Sequence, residues 1–207
     1  MMQVVSDIPS QVRTFIGSNR LTAESEIADI FHAVRRIPYG SGGGRNVRDV
    51  VEQNKGSCSG KHMLLRDVLR LLGHDAAVET VRGDFTSRLV GEKSMGAALR
   101  QMCEDGNVTD FHQYVVWAGP EGDVKLDATW SDGPIQHGVL GNMDWNGAGD
   151  TNLALIPEKV LARVKDFPAY KKRLLEGLHQ DVQERRLTFL SLLTDWVANI
   201  GKRGDEE

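Results

Sequence analysis

Hydrophobic positions between Ala23 and Ile37 recur as Ile27, Ile30, Phe31 and Val34, the three-and-four spacing of one helix face. Pro38 ends that pattern, because proline lacks the N–H that a helix interior needs. The most regular pattern runs from Cys58 to Leu72. Met63, Leu64, Val68, Leu69, Leu71 and Leu72 form its apolar side, and Gly73 stands where a helix end favours glycine. Ala76 to Val81 alternates in part and predicts a strand, which Gly83 and Asp84 are expected to turn. Residues 85–110 carry no continuous period and read as an insertion, with a short helix over Met95–Cys103 and a loop at Glu104–Asn107. Two β-prone runs, Phe111–Ala118 and Asp123–Thr129, flank Gly119-Pro120-Glu121-Gly122, whose turn chemistry predicts a hairpin.

Asp132 to Asp150 is rich in Gly, Asn and Asp and predicts a long surface loop. After Pro157 a helical pattern resumes, with Val160, Leu161 and Val164 on one side. A long helix is then predicted over Tyr170–Ile200 from Leu174, Leu178, Val182, Leu190, Leu193, Val197 and Ile200. Lys202–Glu207 reads as a solvated tail. These elements predict an α+β fold in which a helix packs on an antiparallel sheet. Residues 1–156 form one domain, with its core at about 25–132, and residues 157–207 form a helical C-terminal extension.

Composition narrows the classes of function. The chain has 207 residues, 40% hydrophobic and 26% charged, as expected of a folded domain. Lys and Arg number 25 against 29 Asp and Glu, a net charge of −4, so there is no basic field to hold nucleic acid or an anionic membrane. No apolar run approaches the roughly 20 residues needed to span a bilayer. Met1–Pro9 lacks the basic leader and apolar stretch of a signal peptide. Two cysteines, Cys58 and Cys103, are too few for a disulfide scaffold, and the expected compartment is the cytoplasm.

The candidate chemistry starts at Cys58. It opens the strongest helix, where unpaired N–H groups and the positive end of the helix dipole favour a thiolate. Gly56, Ser57, Ser59 and Gly60 leave room for an approaching carbonyl. A hairpin turn centred between Gly119 and Pro120 sets His112 opposite Asp127 and Val115 opposite Val124, separating a polar from an apolar face. An imidazole base, the carboxylate that orients it and a thiol make a Cys-His-Asp candidate. The glycine-rich segment Tyr39–Arg45 has neither phosphate-binding glycine pattern and reads as a flexible loop.

Three blocks resemble the transglutaminase-like superfamily of cysteine enzymes. They are Lys55-Gly56-Ser57-Cys58-Ser59-Gly60 running to Leu72-Gly73, then Phe111-His112-Gln113-Tyr114-Val115, then Val124-Lys125-Leu126-Asp127-Ala128-Thr129-Trp130. The resemblance implies a papain-like, transglutaminase-like core with the cysteine helix packed on the sheet. It also implies that Cys58 attacks an amide or ester carbonyl, His112 shuttles the proton and Asp127 orients it. Ser59 stands where protein-crosslinking members have tryptophan, and no calcium loop is evident, which argues against crosslinking. The expected activity is acyl transfer through a thioester, hydrolytic first, as in a protease or amidase. A synthetic acyltransferase using the same triad and a non-catalytic peptide-binding module are the alternatives. The expected partner is a peptide, a protein or a small amide or thioester, with no cofactor.

Secondary candidates surround this triad. Gln53 or Asn54, just upstream, could supply a second oxyanion donor beside the Cys58 N–H. Trp130 and Trp145 could line a substrate cleft. Cys58, His62 and His112 could also be read as metal ligands, but no compact pair of cysteines or histidines accompanies them.

Overall fold

A computed structural model describes residues 10–41, 45–89, 93–164 and 166–203. The expected absence of a leader at Met1–Pro9, the Gly42–Gly44 part of the glycine loop and the last four residues of the tail lie outside the described residues. Helices α1 (Ser10–Ser18), α2 (Ile27–Arg35) and α3 (Val47–Gln53) lead into α4 (Cys58–Leu71). Strand β1 (Ala76–Asp84), helix α5 (Ala97–Asp105) and strands β2 (Thr109–Gly119) and β3 (Gly122–Leu126) follow. The chain closes with α6 (Asp132–Gln136), β4 (Ile156–Val160), α7 (Phe167–Glu176) and α8 (Gln180–Arg203). The architecture is mixed α+β, with eight helices among the described residues and one four-stranded antiparallel sheet of order β3-β2-β1-β4.

The predicted cysteine helix is present because its start and stop signals agree with its periodicity. Ser57 Oγ accepts from Gly60 N at 3.3 Å, capping the first turn. At the other end Gly73 N and His74 N bond back to the carbonyls of Arg70 and Leu69. Gly56 is needed just upstream: a Cβ there would lie 2.9 Å from Val50 Cγ2 and 3.0 Å from Lys61 Cγ. Its N–H and carbonyl pair with Pro38 O and Gly40 N, tying the start of α4 to the chain that leaves α2.

Buried residues sort into two apolar clusters. One joins Val78, Val115, Trp117 and Leu126 of the sheet to Leu64, Val68 and Leu69 of α4 and to α1–α3. The other joins Val81, Tyr114 and Val116 to Leu99 of α5 and to Phe189, Leu193, Trp196 and Val197 of α8. Successive residues of β2 alternate between the two clusters, so this central strand is covered on both sides. The expected separation of a polar from an apolar face is kept on β3, where Asp123 and Lys125 are exposed and Leu126 is buried, but not on β2, where the whole run from Asp110 to Trp117 is buried.

Several expectations are corrected. β1 does not turn at Gly83 but runs on to Asp84, because β4 passes close beside it: a Cβ on Gly83 would lie 2.4 Å from Ile156 O. The helix expected just after Pro157 is this edge strand, on which a residue without an N–H is tolerated. The short helix of the insertion runs through Asp105 rather than stopping at Cys103. The single helix expected over Tyr170–Ile200 is two, interrupted at Gly177-Leu178-His179. The segment from 157 thus adds most of a strand to the sheet and the α8 side of the second core cluster.

One fully buried lysine braces the fold beneath the site. Lys61 Nζ donates to the carbonyls of Arg35 (2.9 Å), Ile37 (2.6 Å) and Thr129 (2.9 Å), joining α4 to the end of α2 and to the chain beyond β3. Three acceptors match the three N–H bonds of an ammonium, while burial draws the group's titration well below the ordinary lysine range. Lys61→Met removes all three donors and leaves buried carbonyls unpaired, each costing about 1–3 kcal/mol. A fall of several kcal/mol in unfolding free energy, read from the urea midpoint, is expected.

Candidate active site

Cys58 is the first residue of α4 and is 4% exposed, with its free thiol at the helix N-terminus. It lines a cavity of about 410 Å³. One wall comes from Tyr39, Ser57, Ser59 and Asp110, and the other from Lys171 and Leu175 of α7 with Arg186 and Leu190 of α8. The segment expected to be an extension therefore forms half of this cavity.

His112 lies on β2 and Asp127 just past the end of β3, both buried, and His112 Nε2 donates to Asp127 Oδ2 at 2.7 Å. They meet although the expected register was displaced by two residues: Val115 faces Leu126, not Val124, because the turn is centred on Pro120 and Glu121. Continued past Leu126, this register puts Asp127 level with Tyr114, so His112 is its diagonal neighbour. A shift of two residues keeps every side chain on its face, and diagonal neighbours remain within reach of long side chains.

Asp127 is held from every side. Its Oδ2 also accepts from Ala154 N at 2.7 Å, and Oδ1 accepts from Thr129 N at 2.9 Å. Its own N–H donates to Thr151 Oγ1 at 2.7 Å, and its carbonyl accepts from Asn142 Nδ2 at 3.0 Å. Asn142 belongs to the stretch expected to be a surface loop. That stretch instead contains α6 and, with the residues after it, wraps the aspartate and fixes its rotamer. His62, one turn into α4 from Cys58, accepts from Ala128 N at 2.8 Å, and its ring stands edge-on to His112 with centroids 5.7 Å apart.

The electrostatics follow from these neighbours. Burial pushes the Asp127 carboxyl up, but the charge and hydrogen bond of His112 overcome it, and the group titrates well below the usual carboxylate range. Burial alone would lower His112; Asp127 and then the Cys58 thiolate raise it to about 10. Burial likewise pushes the Cys58 thiol up, and Lys171 followed by His112 bring it down to about 7. His112 Nδ1 is buried without a formed hydrogen bond, yet its ring and the sulfur are close enough to shift one another. With Nε2–H committed to Asp127, Nδ1 is the nitrogen free to exchange a proton with the thiol.

The other predicted residues are not gathered here. Gln53 ends α3 and Asn54 caps it; both are exposed and outside the cavity lining, so neither supplies the second oxyanion donor. Trp130 is buried against Tyr39 (centroids 5.1 Å apart) and Phe85, behind the cavity rather than in its wall, and Tyr39 is the lining aromatic. Trp145 packs on Phe31 in the first core cluster, with Nε1 donating to the carbonyls of Ala148 and Gly149. Among the described residues no group of three or more His, Cys, Asp and Glu side chains is arranged to hold a metal ion. His62, read as a possible ligand, already accepts the Ala128 N–H.

Lys171, Gln113, Asp110 and Arg186 escaped the sequence reading. Asp110 and Gln113 flank His112 in a buried strand, and polar residues inside an otherwise apolar run were a usable signal. A lysine 113 residues from Cys58 in an amphipathic helix gave none.

Scanned against models of protein families the chain matches none, and a search of curated proteins finds no match. Among the described residues no helix is long and apolar enough to cross a membrane.

Proposed function

We propose that this protein is a cysteine-dependent acyl-transfer enzyme with a transglutaminase-like core, in which Cys58, His112 and Asp127 act as a triad and water is the acceptor. The observation that carries the reading is the 2.7 Å bond from His112 Nε2 to Asp127, which leaves Nδ1 as the base for a thiol at a helix N-terminus. The packing of the cysteine helix against β1 and β2, with His112 on β2 and Asp127 one residue past β3, supports this reading.

In this mechanism Cys58 and His112 rest as a thiolate and an imidazolium, with the thiol's proton held on His112 Nδ1, and the sulfur attacks the carbonyl carbon of an amide or ester. The tetrahedral adduct collapses as the leaving nitrogen or oxygen takes the proton from His112, giving a thioester. Water, deprotonated by His112, then releases the acid and returns the thiol. The Asp127 carboxylate stays ionised throughout and steadies the imidazolium.

The test is alkylation of the intact protein by iodoacetamide at pH 7, with mass mapping of the modified peptides. Cys58 titrates at about 7, whereas burial followed by Asp84 and Glu104 raises Cys103 to about 11. The thiolate fractions differ by more than a thousandfold, and the lower nucleophilicity of the more acidic thiol offsets part of this, so Cys58 is expected to react roughly 100-fold faster. Its rate should rise as pH passes about 7 and then level off. Equal labelling of the two cysteines, or a midpoint near that of a free thiol, is incompatible with the proposal.

A further inference from the structure

We infer that Lys171 is a catalytic residue of this site: its ammonium holds Cys58 as a thiolate before attack and then receives the negative charge that develops on the substrate's carbonyl oxygen. The inference rests on the function proposed above and supplies the donor that Gln53 and Asn54 do not. Lys171 Nζ lies 3.8 Å from Cys58 Sγ, 3.4 Å from Ser59 Oγ and 3.3 Å from Gln113 Oε1. Asp110 Oδ1 is 3.9 Å away, but that oxygen already accepts from Arg186 Nε at 2.7 Å and from Phe111 N at 2.7 Å. The ammonium is thus oriented by two neutral oxygens, Ser59 Oγ and Gln113 Oε1, and shares Asp110 with Arg186, which holds that carboxylate more closely; its side chain is only 12% exposed.

When Sγ gives an electron pair to the carbonyl carbon, the C–S bond forms and the C=O π pair moves onto oxygen. That oxygen is one bond from the carbon attached to Sγ, on the cavity side where Nζ waits. The negative charge moves from sulfur to oxygen while the cation remains in place, which is the condition for stabilising a transition state rather than a ground state. Collapse expels the leaving group with the proton carried by His112, and the charge on oxygen is withdrawn.

The position of Lys171 argues against a merely structural pair. No described residue of α7 is buried, so the helix has no core of its own to which this lysine contributes. The other charged or titratable groups that interact electrostatically with the sulfur are His112 and Asp110 from β2, Arg186 from α8, Tyr39 from the segment after α2 and Lys61 from α4.

The experiment compares wild type, Lys171→Met and Lys171→Arg, each shown by circular dichroism and melting to be folded. The first readout is the pH midpoint of Cys58 alkylation; the second is the rate of Cys58 acylation by p-nitrophenyl acetate at pH 9, where an ordinary lysine is still charged, divided by the thiolate fraction that each variant's midpoint gives. Lys171→Met is expected to raise the midpoint by about 1–2 pH units and to slow acylation per thiolate roughly 100-fold. Lys171→Arg should keep most of both. A midpoint and acylation rate unchanged in Lys171→Met, or a faster rate, overturns the inference while leaving the triad intact. Absence of any acyl adduct on Cys58 in wild type sinks the proposed function and the oxyanion role together, whereas the alkylation midpoint still reads the effect of Lys171 on the thiolate.

Discussion

Cys58→Ala is expected to abolish acyl-enzyme formation and to lower turnover by at least about 10⁴-fold, since Cys58 is the one thiol among the described residues that line the cavity. Ser57 and Ser59 flank the sulfur, but Ser57 Oγ caps α4 and Ser59 Oγ donates to Gln113 Oε1 at 2.5 Å. Neither is bonded to the His112 ring. The substitution removes one buried sulfur next to an existing cavity, so stability should change by only about 1 kcal/mol. Loss of activity with an unchanged melting curve, measured on the same sample, separates a chemical role from a folding role.

The second large effect is expected at Asp127. An asparagine cannot replace its pattern of contacts, because Oδ1 accepts from Thr129 N and Oδ2 accepts from both Ala154 N and His112 Nε2. Whichever way the amide is turned, its NH₂ meets an N–H donor. If the NH₂ faces His112, the imidazole must accept at Nε2 and carry its proton on Nδ1, which is the wrong tautomer to take a proton from Cys58. Loss of the correct tautomer in a comparable triad costs on the order of 10⁴-fold in turnover. If it faces Thr129, a buried N–H loses its acceptor at about 1–3 kcal/mol. Asp127→Asn is therefore expected to reduce turnover by about 10³- to 10⁴-fold and to lower stability, read from kinetics and chemical denaturation together.

These groups also set the response of stability to pH. Asp127 titrates lower when folded than when unfolded, so its contribution is complete above the unfolded carboxylate range, about pH 4, and fades as pH falls toward its folded value. His112 runs the other way. Its titration is raised to about 10, so its contribution is complete below about 6.5 and is lost as pH rises through 10. In Asp127→Asn both slopes should flatten, because each group raises or lowers the other.

Much of this was legible in the sequence where local signals agreed with tertiary burial. α4 combined a small-residue start, a helical period and a terminal glycine, so its first residue was legible, and the structure adds a serine cap at Ser57. The hairpin was legible from Gly119 to Gly122, and its two-residue error left faces unchanged, which is why His112 and Asp127 still meet. β4 was not legible: Ile156, Pro157 and Val160 are exposed on an edge strand, so no buried period marks them, and pairing with distant β1 decides their conformation. The stretch after Asp132 looked like a surface loop because its turn residues are polar. One of those polar groups, Asn142, is turned inward to hold Asp127, together with Thr151 just past the stretch. Lys171 was invisible for a different reason: its meaning depends on where two helices from the far end of the chain come to rest.

The most direct test of the triad is a stopped-flow burst with p-nitrophenyl acetate at pH 8, followed by mass mapping of the quenched protein. The account predicts one equivalent of p-nitrophenol released in a fast phase, a single acetyl group on Cys58, and neither in Cys58→Ala. An acetyl group found on any other residue, or a burst that survives in Cys58→Ala, would contradict it.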